Sequence, residues 1–226
     1  MDDNPAGRPQ RGMSFPPPES ADADGLLAIG GDLSVPRLLE AYRRGIFPWY
    51  EEGGPILWWS PDPRLVLDPS EFRASRSLRA VVRKGTFAVR FNTAFAAVIR
   101  ACAEMERAGQ DGTWITADVQ SAYTALHRLG HAHSVEAWFG DELAGGLYGV
   151  MLGRCFFGES MFARRTDASK VALAALVERM KALEVGLIDC QVTTPHLLGL
   201  GAKEVPRAEF LRRLDEALRH PTPSFG

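Results

Sequence analysis

The sequence has little cysteine. Cys102, Cys155 and Cys190 are the only three. The number is odd and no pair stands as Cys-x-x-Cys. That argues against a disulfide framework or a cysteine-bound zinc, and for a reducing compartment. No apolar run approaches the roughly 18 residues of a membrane span. The polar, Pro-rich start holds no apolar signal core. A cytoplasmic protein that neither crosses a membrane nor is secreted is therefore expected. Positive charge is not in excess either, with 26 Lys and Arg against 28 Asp and Glu, a net of −2. No global basic field advertises nucleic acid. The glycines of Gly25-Leu-Leu-Ala-Ile-Gly-Gly-Asp-Leu-Ser34 lack a following Lys-Ser/Thr, so a phosphate-cradling P-loop fails and a tight turn is read instead. No internal repeat of useful period occurs.

What is present is ordinarily globular, 46% hydrophobic and 24% charged over 226 residues. That suits one large domain, or a domain with a small lobe. The charge is unevenly placed. Arg64 to Arg100 holds eight Lys or Arg against Asp68 and Glu71, a local +6 against −8 for the rest. Such asymmetry can mark a face that binds a polyanion. Within it, Ser70 to Lys84 reads as a helix. Arg73, Arg76, Arg79, Arg83 and Lys84 share one face at spacings of three and four. Almost no acid intersperses them, so phosphate contact stands beside a plain solvated face.

Upstream, residues 1 to 14 read as a disordered leader. Ser34 and Pro36 start a short helix to Arg44, ended by Gly45. The segments around Trp49, Trp58 and Trp59 concentrate tryptophan and proline. Either a small lobe packs aromatics for want of core, or they form a stacking surface for a base. Phe87 to Phe91 is a strand and Thr93 to Ala108 a helix. Gly112 to Ile115 is an exposed segment. Thr116 caps a helix to Leu129. His127, His131 and His133 lack acidic or cysteine partners at ligand spacing, and Gly130 breaks the helix between the first two, so no metal site is assigned. Ser134 to Phe139 and Leu143 to Leu152 form a hairpin with a third strand, Arg154 to Gly158, ending at Glu159. Gly145, Gly146 and Gly149 imply a bulge or a close approach. Glu159 is a ligand contact or a loop cap. Asp167 caps a helix from Ala168 to Leu183. A last helix runs from Ala208 to Arg219.

The buried strand Gly186 to Val192 carries two polar residues, Asp189 and Gln191. Alternation sets them on one face, with Ile188, Cys190 and Val192 on the other. Buried polar groups need partners. Either neighbours satisfy them or they face a cleft.

The pattern is α+β with a mostly antiparallel sheet. It resembles the acyltransferase fold of the N-acetyltransferase superfamily (GNAT-like), with Arg164 to Lys170 where the coenzyme A pyrophosphate loop would be. Several motifs are more specific: Gly25 to Ser34, Gly45-Ile-Phe-Pro-Trp49, Ile56-Leu-Trp-Trp-Ser-Pro-Asp-Pro-Arg64, Gly112-Thr-Trp-Ile115, Gly130-His-Ala-His-Ser134, Phe157-Gly-Glu-Ser-Met-Phe162, Ala168-Ser-Lys170 and Ile188-Asp-Cys-Gln191. They resemble the leucyl/phenylalanyl-tRNA–protein transferases from Phe15 to about Leu214.

The resemblance implies a small N-terminal domain over residues 15–63 and an aminoacyl-transfer domain over 64–226. It implies that leucine or phenylalanine, with methionine a further candidate, moves from aminoacyl-tRNA to the α-amine of proteins beginning with Arg or Lys. The product is a signal for degradation. Ester becomes amide downhill, so no ATP, metal or cofactor is implied. Asp189 and Gln191 are implied as the catalytic pair. Trp49, Trp114 and Glu159 would hold the terminal adenosine. Leu147, Phe156, Leu176 and Ile188 would receive the aminoacyl side chain. Arg76, Arg79, Arg83 and Lys84 would contact the tRNA backbone. A monomer is expected. The rival readings are an acetyl-coenzyme A N-acetyltransferase, a Cys190/His196 thiol enzyme and a non-catalytic tRNA-binding module.

Overall fold

The computed structural model describes residues 14–105 and 113–225. Residues 1–13 of the expected leader, the end of the helix expected to reach Ala108, and Gly112 lie outside the described residues. In chain order the elements are β1 (Leu26–Ile29), α1 (Val35–Arg43), β2 (Phe47–Pro48), β3 (Leu57–Trp59), β4 (Arg64–Leu67), α2 (Arg76–Lys84), β5 (Ala88–Phe91), α3 (Phe95–Ala103) and α4 (Ala117–Arg128). They continue as β6 (Ala132–Phe139), β7 (Glu142–Leu152), β8 (Cys155–Ala163), α5 (Ala168–Ala182), β9 (Leu187–Gln191), α6 (Pro195–Gly199), β10 (Lys203–Val205) and α7 (Arg207–Leu218).

The strands make two sheets. A small antiparallel one has the order β1-β3-β2, and a seven-stranded one the order β10-β4-β9-β8-β7-β6-β5. The large sheet is antiparallel except where β8 meets β9 in parallel. An α+β architecture with a mostly antiparallel sheet is thus observed. The large sheet separates two cores, because alternate side chains leave by opposite faces. Along β7, Tyr148 and Val150 join a core shared with α1, α3, α4, α7 and the small sheet. Leu147 and Met151 join the other core, dominated by α5.

Local chemistry explains the helix ends. The Ser75 hydroxyl accepts from the Leu78 N–H and starts α2, and Gly85 in the left-handed region ends it. The Thr116 hydroxyl caps α4 at Val119. Asp167 occupies the cap position of α5 without bonding the first turn. Its carboxylate meets Lys170 at 3.0 Å instead.

Several readings of the sequence need correction. The basic segment is not one helix from Ser70. A single tight turn at Pro69–Glu71 precedes an extended link, and α2 begins at Arg76. Arg73 therefore stands outside the helical face. Its N–H is taken by the Leu200 carbonyl at 2.8 Å, a tertiary partner that helix spacing could not reveal. The segment before α4 is not exposed, since Ile115 is fully buried and Trp114 half-buried. Glu159 lies in the middle of β8 rather than at a strand end.

Candidate active site

A cleft of about 440 Å3 opens between the small sheet and the parallel β8–β9 pair. Phe47, Pro48 and Trp49 form one side and Trp114 another. Gly158, Glu159, Ser160 and Met161 come from β8, Leu173 from α5, Cys190 and Gln191 from β9, and Thr194, His196 and Leu197 from the α6 end.

The opening follows from sheet geometry. Pairing between β8 and β9 joins Cys155 to Leu187, Phe156 to Ile188 and Phe157 to Asp189, and then stops. Each strand carries an irregularity just there. On β8, Tyr148 faces Ser160 while Gly149 faces Gly158, which leaves Glu159 as the extra residue of a bulge. Gly149 is needed opposite it, since a Cβ there would sit 2.2 Å from the Phe157 carbonyl. On β9, Leu65 faces Gln191 while Val66 faces Asp189, which leaves Cys190 as the extra residue. Bulges re-aim side chains.

Gln191 has φ +57, and the Val192 N–H closes back on the Cys190 carbonyl at 2.8 Å. This three-residue turn is a strained conformation for a residue with a Cβ. Cys190 is half-buried and lines the cleft beside Gln191, while packing against the α5-side core that holds Ile188, the face expected for it. Burial and the Asp189 charge push its thiol well above the usual thiol range. A thiolate nucleophile is thereby disfavoured, and the thiol-enzyme reading loses its chemistry.

Asp189 lies behind the cleft wall, fully buried. Arg64 grips it with both arms, Nε to Oδ1 at 2.8 Å and Nη2 to Oδ2 at 2.7 Å. The Gln191 N–H donates to Oδ1 at 3.0 Å and its amide nitrogen approaches Oδ2 at 3.4 Å. The Arg64 guanidinium sits 4.8 Å from the Phe47 ring and 4.5 Å from that of Phe210. Four donors thus surround one carboxylate, and an aromatic pair flanks the cation that holds it.

Glu159 is the other carboxylate. Tyr42 donates to its Oε1 at 2.7 Å and Tyr123 to its Oε2 at 3.2 Å. The two phenol oxygens also lie in short contact, and with one hydrogen on each phenol all three contacts are hydrogen bonds only when the Glu159 carboxyl carries a proton of its own. Burial raises the Glu159 carboxyl to about 7 against the lowering pull of both phenols. Burial and the Glu159 charge hold both phenols well above their usual range, so they remain donors.

The remaining residues singled out from the sequence fall in three places. Trp49 and Trp114 line the cleft. Leu147, Phe156, Leu176 and Ile188 lie in the α5-side core and do not themselves line it; its aliphatic lining is Met161, Leu173, Val192 and Leu197. Arg76, Arg79, Arg83 and Lys84 are exposed on α2, with no ion pair among the described residues. Helix α2 lies against α5, the helix that supplies Leu173. The histidines are engaged otherwise: His127 stacks on Phe95 at 4.3 Å and His133 on Phe225 at 4.2 Å. Among the described residues no group of three or more His, Cys, Asp and Glu could hold a metal. None of the described helices is long and apolar enough to cross a membrane.

Arg64, Tyr42 and Tyr123 were missed as site residues. Arg64 closes the Pro-Asp-Pro-Arg motif, but its importance appears only when β4 is seen beside β9. The tyrosines look like ordinary core positions of α1 and α4.

A family model described as leucyl/phenylalanyl-tRNA protein transferase matches residues 66–215, and one for the N-terminal domain of the same family matches residues 31–62. The chain belongs to the leucyl/phenylalanyl-tRNA protein transferase family. A leucyl/phenylalanyl-tRNA–protein transferase of Anaeromyxobacter dehalogenans is 60% identical over 96% of this chain and 94% of its own. That of Syntrophobacter fumaroxidans is 62% identical over 90% and 87%. A functionally unknown conserved protein from Staphylococcus epidermidis overlaps this fold with a TM-score of 0.43 at 10% identity, covering 80% of this chain and 68% of that one, too distant to argue from. As a leucyl/phenylalanyl-tRNA protein transferase, the chain is an aminoacyltransferase, which removes the non-catalytic reading.

Proposed function

We propose that the cleft between the small sheet and the β8–β9 opening is where leucine or phenylalanine, and by extension methionine, passes from its tRNA ester to the α-amine of a protein beginning with Arg or Lys. The product would carry an N-terminal degradation signal. Residues 15–63 act as a small aromatic lobe and 64–226 as a transfer domain of the GNAT-like kind. The single observation that carries this reading is the meeting of Trp49, Trp114, Glu159 and Gln191 in one cleft with an apolar wall. Aromatic faces stack on a base, Met161 and Leu173 suit an unbranched-Cβ apolar side chain, and Leu147, Phe156, Leu176 and Ile188 form the apolar floor behind them. The donor is tRNA, so the reaction belongs in the cytoplasm, and one chain supplies every group needed.

The division of labour follows from burial. Asp189 is enclosed by four donors and reaches substrate only through Gln191. It orients the Gln191 amide. The Gln191 carbonyl accepts a hydrogen bond from the incoming amine and aims its lone pair at the ester carbon. The exposed cations Arg76, Arg79, Arg83 and Lys84 follow the tRNA backbone.

The test is incubation with leucyl-tRNA and peptides beginning with Arg or Ala. A mass gain of one leucine on the Arg peptide is expected. No gain on either overturns the proposal; an equal gain on both overturns the Arg/Lys preference.

A further inference from the structure

We propose that Glu159, the bulged residue of β8, is the group that takes the proton from the attacking amine and returns it to the leaving ribose oxygen. The proposal rests on the transfer reading above and names the acceptor that reading lacks. The other groups of the cleft cannot serve. Asp189 is fully buried and its two oxygens face Arg64 and Gln191. The Gln191 side chain is a neutral amide and a poor base. Cys190 keeps its thiol protonated. His196, whose basicity is lowered by burial and by Lys170, belongs to α6 at the cleft's α6 end and has no hydrogen-bond partner to orient it among the described residues.

Glu159 has the placement. It stands two residues beyond Phe157, as Gln191 stands two beyond Asp189, and Phe157 and Asp189 are the last paired rung of the two parallel strands. The acid and the amide therefore lie level across the opening, both on the cleft wall. The bulge frees Glu159 from the ladder. Tyr42 from α1 and Tyr123 from α4 fix its two oxygens from behind. The other charges that act on it are Asp189 on β9 and Arg64 on β4, opposite in sign. A carboxyl that titrates near 7 is matched to proton transfer at working pH.

The step balances. The neutral amine attacks the ester carbon, and the new C–N bond leaves positive charge on nitrogen. The Glu159 carboxylate takes that proton. The carbon–oxygen bond to the ribose then breaks, and the Glu159 carboxyl donates the proton to the leaving oxygen. Ester and amine become amide and ribose hydroxyl, and Glu159 is again ionised. Contact with the ribose oxygen is compatible with the same residue helping to hold the terminal adenosine.

The test is the pH profile of single-turnover kcat, at saturating aminoacyl-tRNA and Arg-peptide, for the intact protein, Glu159→Gln, Glu159→Asp and Tyr42→Phe. The intact protein should gain rate as pH rises through about 7. Glu159→Gln should lose the Glu159 inflection, leaving only that of the peptide's amine at about 7.7–8.0, and about 10²–10⁴-fold in kcat, whatever its effect on KM for the tRNA. Tyr42→Phe should move the inflection upward, because it removes a donor that favours the carboxylate; the peptide's own amine cannot make that shift. Glu159→Asp should keep an inflection at reduced rate, which guards against a Gln variant that fails to fold. If Glu159→Gln keeps the same inflection as the intact protein, or only KM rises, the proposal is overturned and Glu159 merely holds the adenosine. If the intact protein transfers nothing, the transfer reading falls with it.

Discussion

Arg64 reaches from β4 to Asp189 on β9 with two parallel hydrogen bonds, 2.8 and 2.7 Å, and both side chains are essentially without solvent exposure. Losing one partner leaves the other as an uncompensated buried charge. Asp189→Asn should therefore cost about 3–5 kcal/mol of stability, seen in denaturant unfolding. The paired replacement Arg64→Met with Asp189→Leu should recover most of that loss. It should not recover transfer, because Gln191 loses the carboxylate that orients it. A double variant with intact-protein rates would reduce the pair to a structural role.

The basic face of α2 predicts a salt effect. Neutralising Arg76, Arg79 and Arg83 to Ala should weaken tRNA binding. The slope of log affinity against log salt should shrink by roughly 0.7–0.9 for each phosphate that is no longer neutralised. Titrations at several salt concentrations check this. An unchanged slope would make the face a solvated one.

The cleft's walls predict separable losses. Trp49→Ala or Trp114→Ala should each remove about 1–3 kcal/mol of donor binding if a base stacks there. Met161→Ala should instead change the leucine-to-phenylalanine ratio, within the roughly 10–200-fold that a methylene or two allows. Competition between the two charged tRNAs reads this ratio directly.

Two desolvated groups, the buried His133 and the half-buried Glu159, predict opposite pH dependences of stability. The His133 imidazole is held down at about 4 by burial and by its neighbours His127 and His131, against 6.5 unfolded. The unfolded chain binds the extra proton in that window, so stability is full above 6.5 and is lost as pH falls from there toward 4. Glu159 is raised to about 7 from 4.5. Here the folded chain binds the extra proton, so stability falls as pH rises from 4.5 to 7. His133→Phe should flatten the acid-side loss, and Glu159→Gln should flatten the fall toward neutrality. Unfolding midpoints at stepped pH measure both.

The sequence made the aminoacyl chemistry visible through side chains and left its support invisible. The hairpin, α4, α5 and the Asp189–Gln191 strand were legible because their apolar periodicity is sustained. Strands β1, β2, β3, β4 and β10 were not. They run two to four residues, too short for periodicity to show, and β4 matters only through a partner 125 positions away. Alternation set Asp189 beside Gln191 and Cys190 with Ile188 against the α5-side core. It could not show that Cys190 also reaches the cleft, because a left-handed residue and a bulge at the strand's end cannot be counted from spacing. The glycines of β7 did forecast a bulge. What they could not say is that the residue displaced by it is Glu159. Nor did anything in the tail announce that Phe225 is buried against His133, Phe91 and Phe156.

The most direct measurement is the single-turnover rate of leucine transfer from leucyl-tRNA to an Arg-initiated peptide, by the intact protein and by Gln191→Ala side by side. The account predicts product from the intact protein, and a folded variant slower by at least about 10²-fold. Equal rates, or no product from the intact protein, would contradict it.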